Sequence, residues 1–392
     1  MMPRVLIVAG SDSGGGAGIQ ADIKAVTMLG GHAMTAITAV TAQNTLGVDA
    51  VTALSPDMVR QQMACVARDI GVDAVKIGML GGAMIAAAVA DELGEAGYGV
   101  PIVLDPVMVA SSGATLADGE TIAAFARLAR ISTLVTPNLP ELAVLVGREL
   151  LHPADVQPAA RDYAASVGAP VLVKGGHAAG DLVVDRLVDA TGVVAEWSDP
   201  RIDTRHSHGT GCTLASAIAD GLARGLVLTD AIARARLFVR IALREAPGLG
   251  GGHGPMGHAR VRLDVPRRGA TPNQVTLPAR DHAASLAFYR LLGLTPIVDS
   301  EGRYARFESE GGATLSIEAA NELDAPRVYL EVADLDGLVA RVRAAGVAVD
   351  DPVAQRWGWR EARLTDPAGN ALCLYSAGEH RRFPPWRLSC PA

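Results

Sequence analysis

Val5-Leu6-Ile7-Val8-Ala9-Gly10-Ser11-Asp12-Ser13-Gly14-Gly15-Gly16-Ala17-Gly18-Ile19-Gln20-Ala21-Asp22 decides the fold of the N-terminal part of this chain. Residues 5–9 are an unbroken apolar run, the mark of a strand buried on both faces. The glycines that follow let the backbone turn before Ile19 enters a helix. Strand, glycine loop and helix in that order begin an α/β unit. No Gly-Lys-Ser/Thr follows, so this is not a Walker A loop, and the glycine spacing is not that of the dinucleotide fingerprint. A phosphate loop and a loop packed closely over a small ligand both stay open.

Five more apolar runs repeat the pattern. Residues 34–40 lead into Thr41-Ala42-Gln43-Asn44-Thr45, and 74–79 into Gly78-Met79-Leu80-Gly81-Gly82. Residues 102–104 lead into Asp105-Pro106-Val107-Met108, and 134–136 into Pro137-Asn138-Leu139-Pro140-Glu141. Residues 171–173 lead into Lys174-Gly175-Gly176-His177. Ala-rich helical stretches such as 82–93, 119–130 and 158–167 lie between them. The pattern predicts a largely parallel sheet with helices on both faces, its polar strand ends gathered along the C-terminal edge where ligands bind. Asp105, Asn138, Glu141 and Lys174 would converge there. Residues 182–197, around Asp189-Ala190-Thr191-Gly192, read as an antiparallel edge hairpin, and 229–246 as a closing helix.

Ser207-His208-Gly209-Thr210-Gly211-Cys212-Thr213 supplies an anion cradle for the same edge. It runs into an Ala-rich helix over 214–223. Glycines turn several N–H groups toward one point, and a helix N-terminus adds orphan donors and partial positive charge. Cys212 sits at the rim, where that field is expected to lower a thiol pKa from about 8.5. Two carboxylates, a lysine and an anion cradle suit phosphoryl transfer, with Mg²⁺ bridging phosphates through oxygen ligands.

Composition bounds the rest. A chain of 392 residues predicts two domains. A net charge of −7 without a basic block argues against nucleic acid as partner. No apolar run suits a signal peptide or a membrane span, so a cytoplasmic protein without a membrane partner is expected. Cys65, Cys212, Cys373 and Cys390 form no Cys-x-x-Cys pair, which argues against a zinc site or a disulfide framework.

The loop at 9–22, Thr38-Ala39-Val40-Thr41-Ala42-Gln43-Asn44-Thr45, Lys76-Ile77-Gly78-Met79-Leu80, Asp105-Pro106-Val107-Met108, Thr136-Pro137-Asn138-Leu139-Pro140-Glu141, Lys174-Gly175-Gly176-His177 and the 208–213 cradle stand in order. Together they resemble the hydroxymethylpyrimidine/phosphomethylpyrimidine kinases of thiamine biosynthesis, in the ribokinase-like superfamily, over residues 1–258. The resemblance implies ATP-dependent phosphorylation of 4-amino-5-hydroxymethyl-2-methylpyrimidine, then of its monophosphate to the diphosphate. ATP, Mg²⁺ and a homodimer are implied with it. Gln43 would hydrogen-bond the aminopyrimidine, with Gly10, Asp22, Met79 and Val107 shaping the pocket. Asn138 and Glu141 match the superfamily's Asn-x-x-Glu motif, which positions Mg²⁺ and phosphates. Asp105 would lie near metal and phosphates, and Lys174 near the nucleotide phosphates. Asp105 and Glu141 are therefore the expected Mg²⁺ ligands, partly through water. Gly209, Thr210, Gly211 and Cys212 match the anion hole. Sugar kinases of the superfamily end that loop in a basic Asp. Cys212 stands there instead, as base or as hydrogen-bond partner of the hydroxyl. A pyridoxal or pyridoxine kinase is the rival, opposed by Gln43 and Cys212.

Residues 259–271, with Pro266-Arg267-Arg268-Gly269, read as a linker. The chain then restarts over 272–378. Strand 274–277, helix 282–292 and strands near 297, 304–308 and 314–318 are followed by strand 328–332, helix 335–345 and strands near 359–364 and 371–375. That is a small α+β domain of two βαβββ repeats. Ser285-Leu286-Ala287-Phe288-Tyr289-Arg290-Leu291-Leu292-Gly293-Leu294 and Asp366-Pro367-Ala368-Gly369-Asn370 resemble the vicinal oxygen chelate (glyoxalase/bleomycin-resistance) superfamily. Its metal enzymes place His or Glu at four positions, which fall here on Gln274, Arg327, Ser316 (or Glu318) and Cys373. Arginine is no ligand, so a non-metal role is expected: ligand binding, regulation or dimer completion. In a reading of another class the second domain performs the chemistry and the first only binds, which intact Asp105, Glu141, Lys174 and residues 209–212 oppose. The tail 379–392, with Arg381-Arg382-Phe383-Pro384-Pro385-Trp386, is assigned to neither domain.

Overall fold

The computed structural model describes residues 2–95, 97–108, 119–178, 180–261, 271–309, 313–320, 325–365, 370–381, 384 and 386–388. Residues 262–270 of the expected linker, 366–369 of the turn motif and 382, 383, 385 and 389–392 of the tail lie outside the described residues. The chain divides into two compact units, Met1–Leu263 and Asp264–Ala392.

Among the described residues, the first unit holds a nine-stranded sheet: β1 (Arg4–Asp12), β2 (His32–Gln43), β3 (Val48–Ala53), β4 (Ala74–Ile77), β5 (Ile102–Leu104), β6 (Leu134–Val135), β7 (Val171–Val173), β8 (Leu182–Asp189) and β9 (Gly192–Pro200). Their order is β3-β2-β1-β4-β5-β6-β7-β8-β9. From β2 through β7 the neighbours are parallel, while β3 at one end and the β8–β9 hairpin at the other run antiparallel. The helices are α1 (Gly18–Met28), α2 (Pro56–Asp69), α3 (Ala83–Glu95), α4 (Gly119–Arg130), α5 (Leu139–Val146), α6 (Pro153–Val167), α7 (Thr210–Ala223) and α8 (Leu228–Arg244). Leu6, Val8, Val75, Ile77 and Leu104 pack one sheet face against α2 to α6. The opposite face meets α1 and α7. Both faces of the parallel strands are therefore dry, which is why they read as continuous apolar runs.

Three elements of the first unit lie outside the sequence reading. Strand β3 is exposed along its whole length, so no apolar run marks it. Helix α2 starts at Ser55-Pro56, where the Ser55 hydroxyl accepts from Met58 N at 3.2 Å, a cap signal that stands without a strong apolar stripe. Helix α5 is short and begins inside the Asn138-x-x-Glu141 motif. Two starts also move upstream. Helix α6 begins at Pro153 and carries Pro158 inside it. Helix α7 begins at Thr210, so Gly211 and Cys212 belong to its first turn.

The second unit carries β10 (Thr271–Ala279), α9 (His282–Leu291), β11 (Thr295–Asp299), β12 (Tyr304–Glu308), β13 (Thr314–Ala319), β14 (Arg327–Glu331), α10 (Leu335–Ala344), β15 (Val353–Ala354), β16 (Arg360–Thr365) and β17 (Ala371–Ser376). One sheet contains all eight strands in the order β11-β12-β13-β10-β14-β17-β16-β15. Each repeat sets its first strand parallel to its last, β10 on β13 and β14 on β17. The repeats join antiparallel, with Val275 opposite Val328. Both helices start alike: Asp281 accepts from Ala284 N and Asp334 from Gly337 N, each at 2.9 Å. The tail packs within this unit, where Leu388 N donates to Ile297 O at 3.1 Å and Arg381 pairs with Glu331 at 3.3 Å.

One buried ion pair ties three elements of the first unit together. On β4, Val75 and Ile77 face the apolar cluster, so Lys76 points to the other side, toward α1 and α7. Its ammonium donates to Asp22 Oδ2 of α1 at 2.7 Å, and Ser216 of α7 donates to Asp22 Oδ1 at 2.8 Å. Both charged side chains are fully buried. Removing one partner strands the other without compensation. Lys76→Met should lower the unfolding free energy by about 3–5 kcal/mol in urea titrations. The double variant Asp22→Asn/Lys76→Met should recover a large part of that loss, since both charges leave together. Equal losses in the single and double variants would show that the pair contributes nothing.

Candidate active site

Two glycine loops meet at the C-terminal edge of the first sheet. Gly209 caps α7 with φ of 82°, and a Cβ there would collide with the Gly16 carbonyl. Gly18 opens α1 with φ of 54° and presses on the Gly10 carbonyl in the same way. Only glycine fits both the backbone conformation and the approach. Asp12, the last residue of β1, fastens the first loop. Its Oδ1 accepts from Gly14 N at 2.8 Å, and its Oδ2 accepts from Gly16 N at 2.9 Å and Ala17 N at 2.8 Å. Burial opposes ionisation of Asp12, but His208 and the Ala17 and Gly14 N–H groups outweigh it and hold the carboxyl below its usual range.

His208 extends this contact to Gln43. Its Nε2 lies 3.3 Å from Asp12 Oδ2 and 3.1 Å from Gln43 Nε2. The Thr41 hydroxyl donates to Gln43 Oε1 at 3.1 Å, so the amide at the end of β2 is held at both ends. Asn44 next to it serves a turn, accepting from Leu46 N at 2.8 Å. Gly10 lies where β1 shifts register against β2, and a Cβ there would stand 2.6 Å from Met79 Cε. Gly10, Met79 and the Gln43–His208–Asp12 chain thus come together around one loop. Val107 is half-buried beyond β5, its N–H bonded to Asp105 O at 2.8 Å. Asp22 is set back from this pocket, in its pair with Lys76.

The carboxylates gather on the other side of α7. Asp105 directly follows β5, is 1% exposed, and accepts from Lys174 Nζ at 2.7 Å and Thr136 Oγ1 at 3.1 Å. Glu141 lies 3.7 Å from the same ammonium. Asn138 and Glu141 form a reciprocal capping box: Glu141 N donates to Asn138 Oδ1 at 2.9 Å, and Asn138 N donates to Glu141 Oε2 at 2.8 Å. Burial pushes the Glu141 carboxyl up to about 7, with Lys174 opposing and Asp105 adding to the rise. Burial works against the Lys174 ammonium too, but Asp105 and Glu141 hold its pKa above the usual lysine value. A Cβ on Gly211 would lie 3.2 Å from Lys174 Nζ and 3.4 Å from Asp105 Oδ2, so the first turn of α7 touches this cluster.

Cys212 sits between the two lysine–carboxylate pairs, and here the expected lowering of its pKa is corrected. Burial pushes the thiol up to about 11, and the Asp22 and Asp105 charges add to the rise. Lys76 and a hydrogen bond from the Gly18 backbone oppose without overcoming it. The Lys76 ammonium stays above its usual value against burial, chiefly because Asp22 pairs with it and Asp105 lies near.

The structure also brings in Asp12, His208, Lys76 and Thr136, which the sequence reading did not single out. Asp12 carried a usable signal: a short acceptor side chain just before Gly14-Gly15-Gly16 can take their N–H groups. Lys76 carried none, since a lysine inside an apolar run does not reveal its counter-ion.

In the second unit, Gln274 Nε2 donates to Ser316 Oγ at 3.1 Å, and Thr276 and Ser316 hydroxyls lie 2.7 Å apart. The corresponding positions of the other repeat hold Arg327 and the buried Cys373. Among the described residues, no three His, Cys, Asp or Glu side chains gather as a metal-holding group in either unit.

Comparison with known proteins agrees with this architecture. Residues 12–257 match the phosphomethylpyrimidine kinase family, and residues 271–374 match the glyoxalase/bleomycin resistance protein/dioxygenase superfamily. A hydroxymethylpyrimidine/phosphomethylpyrimidine kinase of Streptomyces coelicolor is 48% identical over 258 residues, covering 65% of this chain and 94% of that one. A thiamine biosynthesis bifunctional protein of Geobacter sulfurreducens is 45% identical over 262 residues, 67% of this chain and 53% of that one. Among solved structures, a Staphylococcus aureus pyridoxal kinase with AMP-PCP and pyridoxal superposes with a TM-score of 0.59 at 32% identity, over 66% of this chain and 94% of that one. A phosphomethylpyrimidine kinase of Clostridium difficile gives 0.53 at 35% identity, over 61% and 98%. With its cradle, its Asn-x-x-Glu cap and its strand order all in place, the chain belongs to the phosphomethylpyrimidine kinase family and carries a glyoxalase-like domain at its C-terminal end.

Proposed function

We propose that the first unit transfers the γ-phosphoryl group of ATP to 4-amino-5-hydroxymethyl-2-methylpyrimidine and then to its monophosphate, giving the diphosphate used in thiamine biosynthesis. The observation that carries this reading is Cys212 in the first turn of α7, flanked by Lys174–Asp105 and Lys76–Asp22, in a chain of this family. The Gln43 amide offers a donor and an acceptor to the edge of an aminopyrimidine, and Gly10, Met79 and Val107 border the ring. N–H groups of residues 209–212 receive the transferred phosphoryl, and Lys174 neutralises nucleotide phosphate charge. Asp105 and Glu141 would hold Mg²⁺, partly through water. Two carboxylates without a third protein ligand suit an ion that completes its shell from water and phosphates. An ion held there would supply charge neutralisation to the phosphates.

Cys212 enters as a neutral thiol. Its role in this reading is to hold the substrate hydroxyl in line, because a loose phosphoryl-transfer transition state asks little of a base. Pyridoxal is the second substrate to test, favoured by the likeness to pyridoxal kinase structures. The enzyme is read as a cytoplasmic homodimer. No helix among the described residues is long and apolar enough to cross a membrane, and exposed Val48 and Val51 on the edge strand β3 offer an apolar contact.

Purified full-length protein with ATP and Mg²⁺ should convert hydroxymethylpyrimidine to mono- and diphosphate, resolved by chromatography. Turnover of pyridoxal alone would transfer the assignment to the second reading. Cys212→Ala should keep more than about one-hundredth of wild-type turnover at saturating substrate, less than the 10²–10⁴-fold loss expected when a general base is removed. Glu141 protonates as pH falls through about 7, and a protonated carboxyl is a poor Mg²⁺ ligand. In the wild type, kcat/KM for MgATP should therefore fall with acid below about pH 7. Glu141→Gln should be slow and lack that limb. A limb unchanged in the variant would assign it elsewhere.

A further inference from the structure

The second sheet has two unlike faces. One is apolar, with Ala305, Phe307 and Ile317 under α9, and Ala362 and Leu374 under α10. The alternate residues form the other face, where Gln274, Thr276, Arg306, Ser316 and Glu361 are polar and buried. Arg306, in the middle of β12, is 4% exposed. Its Nε and Nη2 are buried and have no hydrogen-bond partner among the described residues.

Those two nitrogens share one edge of the guanidinium. It is the edge whose parallel N–H groups match two oxygens of a carboxylate or a phosphate. Glu318 on the same face is exposed at the end of β13, and three further carboxylates there are engaged elsewhere. Glu308 pairs with Arg387 at 3.5 Å, Glu331 with Arg381 at 3.3 Å, and Glu361 accepts from Trp357 Nε1 at 2.9 Å. The guanidinium carbon lies 5.2 Å from the Trp359 ring centroid, and Trp359 stacks on Tyr375 at 4.4 Å and 17°. That π-face attracts the cation but satisfies none of its edge donors. A buried cation with a free bidentate edge is costly unless an anion completes it.

We propose that the second unit binds a small molecule bearing a carboxylate or phosphate group, seated on the Nε/Nη2 edge of Arg306. The site stands independently of the kinase reading. Arg306 shares the sheet face of the metal positions Gln274, Ser316, Arg327 and Cys373 and stands directly across from Ser316, but its anchor is a cation where those enzymes use a metal.

The test is calorimetric titration of the full-length protein with benzoate and with phenyl phosphate, with Trp fluorescence followed in parallel. At least one should bind saturably below about 10 mM, and which one does identifies the anion as carboxylate or phosphomonoester. Arg306→Met should weaken that binding about ten-fold or more while Lys174→Met leaves it intact. Arg306→Lys keeps the charge without the edge and should also lose about ten-fold, so it decides the matter if the Met variant fails to fold. Kinase turnover should be unchanged in Arg306→Lys. Absence of saturable wild-type binding, or binding that survives both Arg306 variants and vanishes in Lys174→Met, would overturn the proposal.

Discussion

The first unit depends on one backbone-to-backbone contact, Gly209 against the Gly16 carbonyl. It holds the loop after β1 against the start of α7, segments far apart in the chain. With that contact made, Asp12 reaches His208, His208 reaches Gln43, and the thiol of Cys212 is covered by the Gly18 backbone. A methyl group at residue 209 would separate these pieces at their hinge point. The glycines of both loops therefore serve close approach as much as chain turning.

The electrostatics follow from that closeness. A helix N-terminus stabilises an anion by at most about 2 kcal/mol. Covering the sulfur and facing it with Asp22 and Asp105 opposes ionisation more strongly, so the thiol stays neutral. The two lysine–carboxylate pairs divide the labour. Asp22–Lys76 is sealed in the interior and holds α1, β4 and α7 together, whereas Asp105–Lys174 borders the first turn of α7.

Much of this was legible in the sequence because parallel strands buried on both faces leave unbroken apolar runs, each with its polar exit. The six parallel strands follow from that periodicity, the edge hairpin and the second unit's repeats from their own strand and turn patterns with β15 unread, and Asp105, Glu141, Lys174 and residues 209–212 meet where strand ends must meet. Strand β3 was hidden because an exposed edge strand needs no apolar pattern. The raised thiol pKa was hidden because burial and neighbouring charge are tertiary quantities, whereas a helix start is local. Asn138 and Glu141 illustrate the overlap: the residues that match a phosphate-site motif also form an ordinary helix-start signal.

The neutral thiol has a consequence for redox chemistry. Alkylating agents and peroxide attack thiolate, and a sulfur held near pKa 11 offers very little of it at neutral pH. Burial, with Asp22 and Asp105 adding to it, thus ties the cover over the sulfur to its low thiolate content.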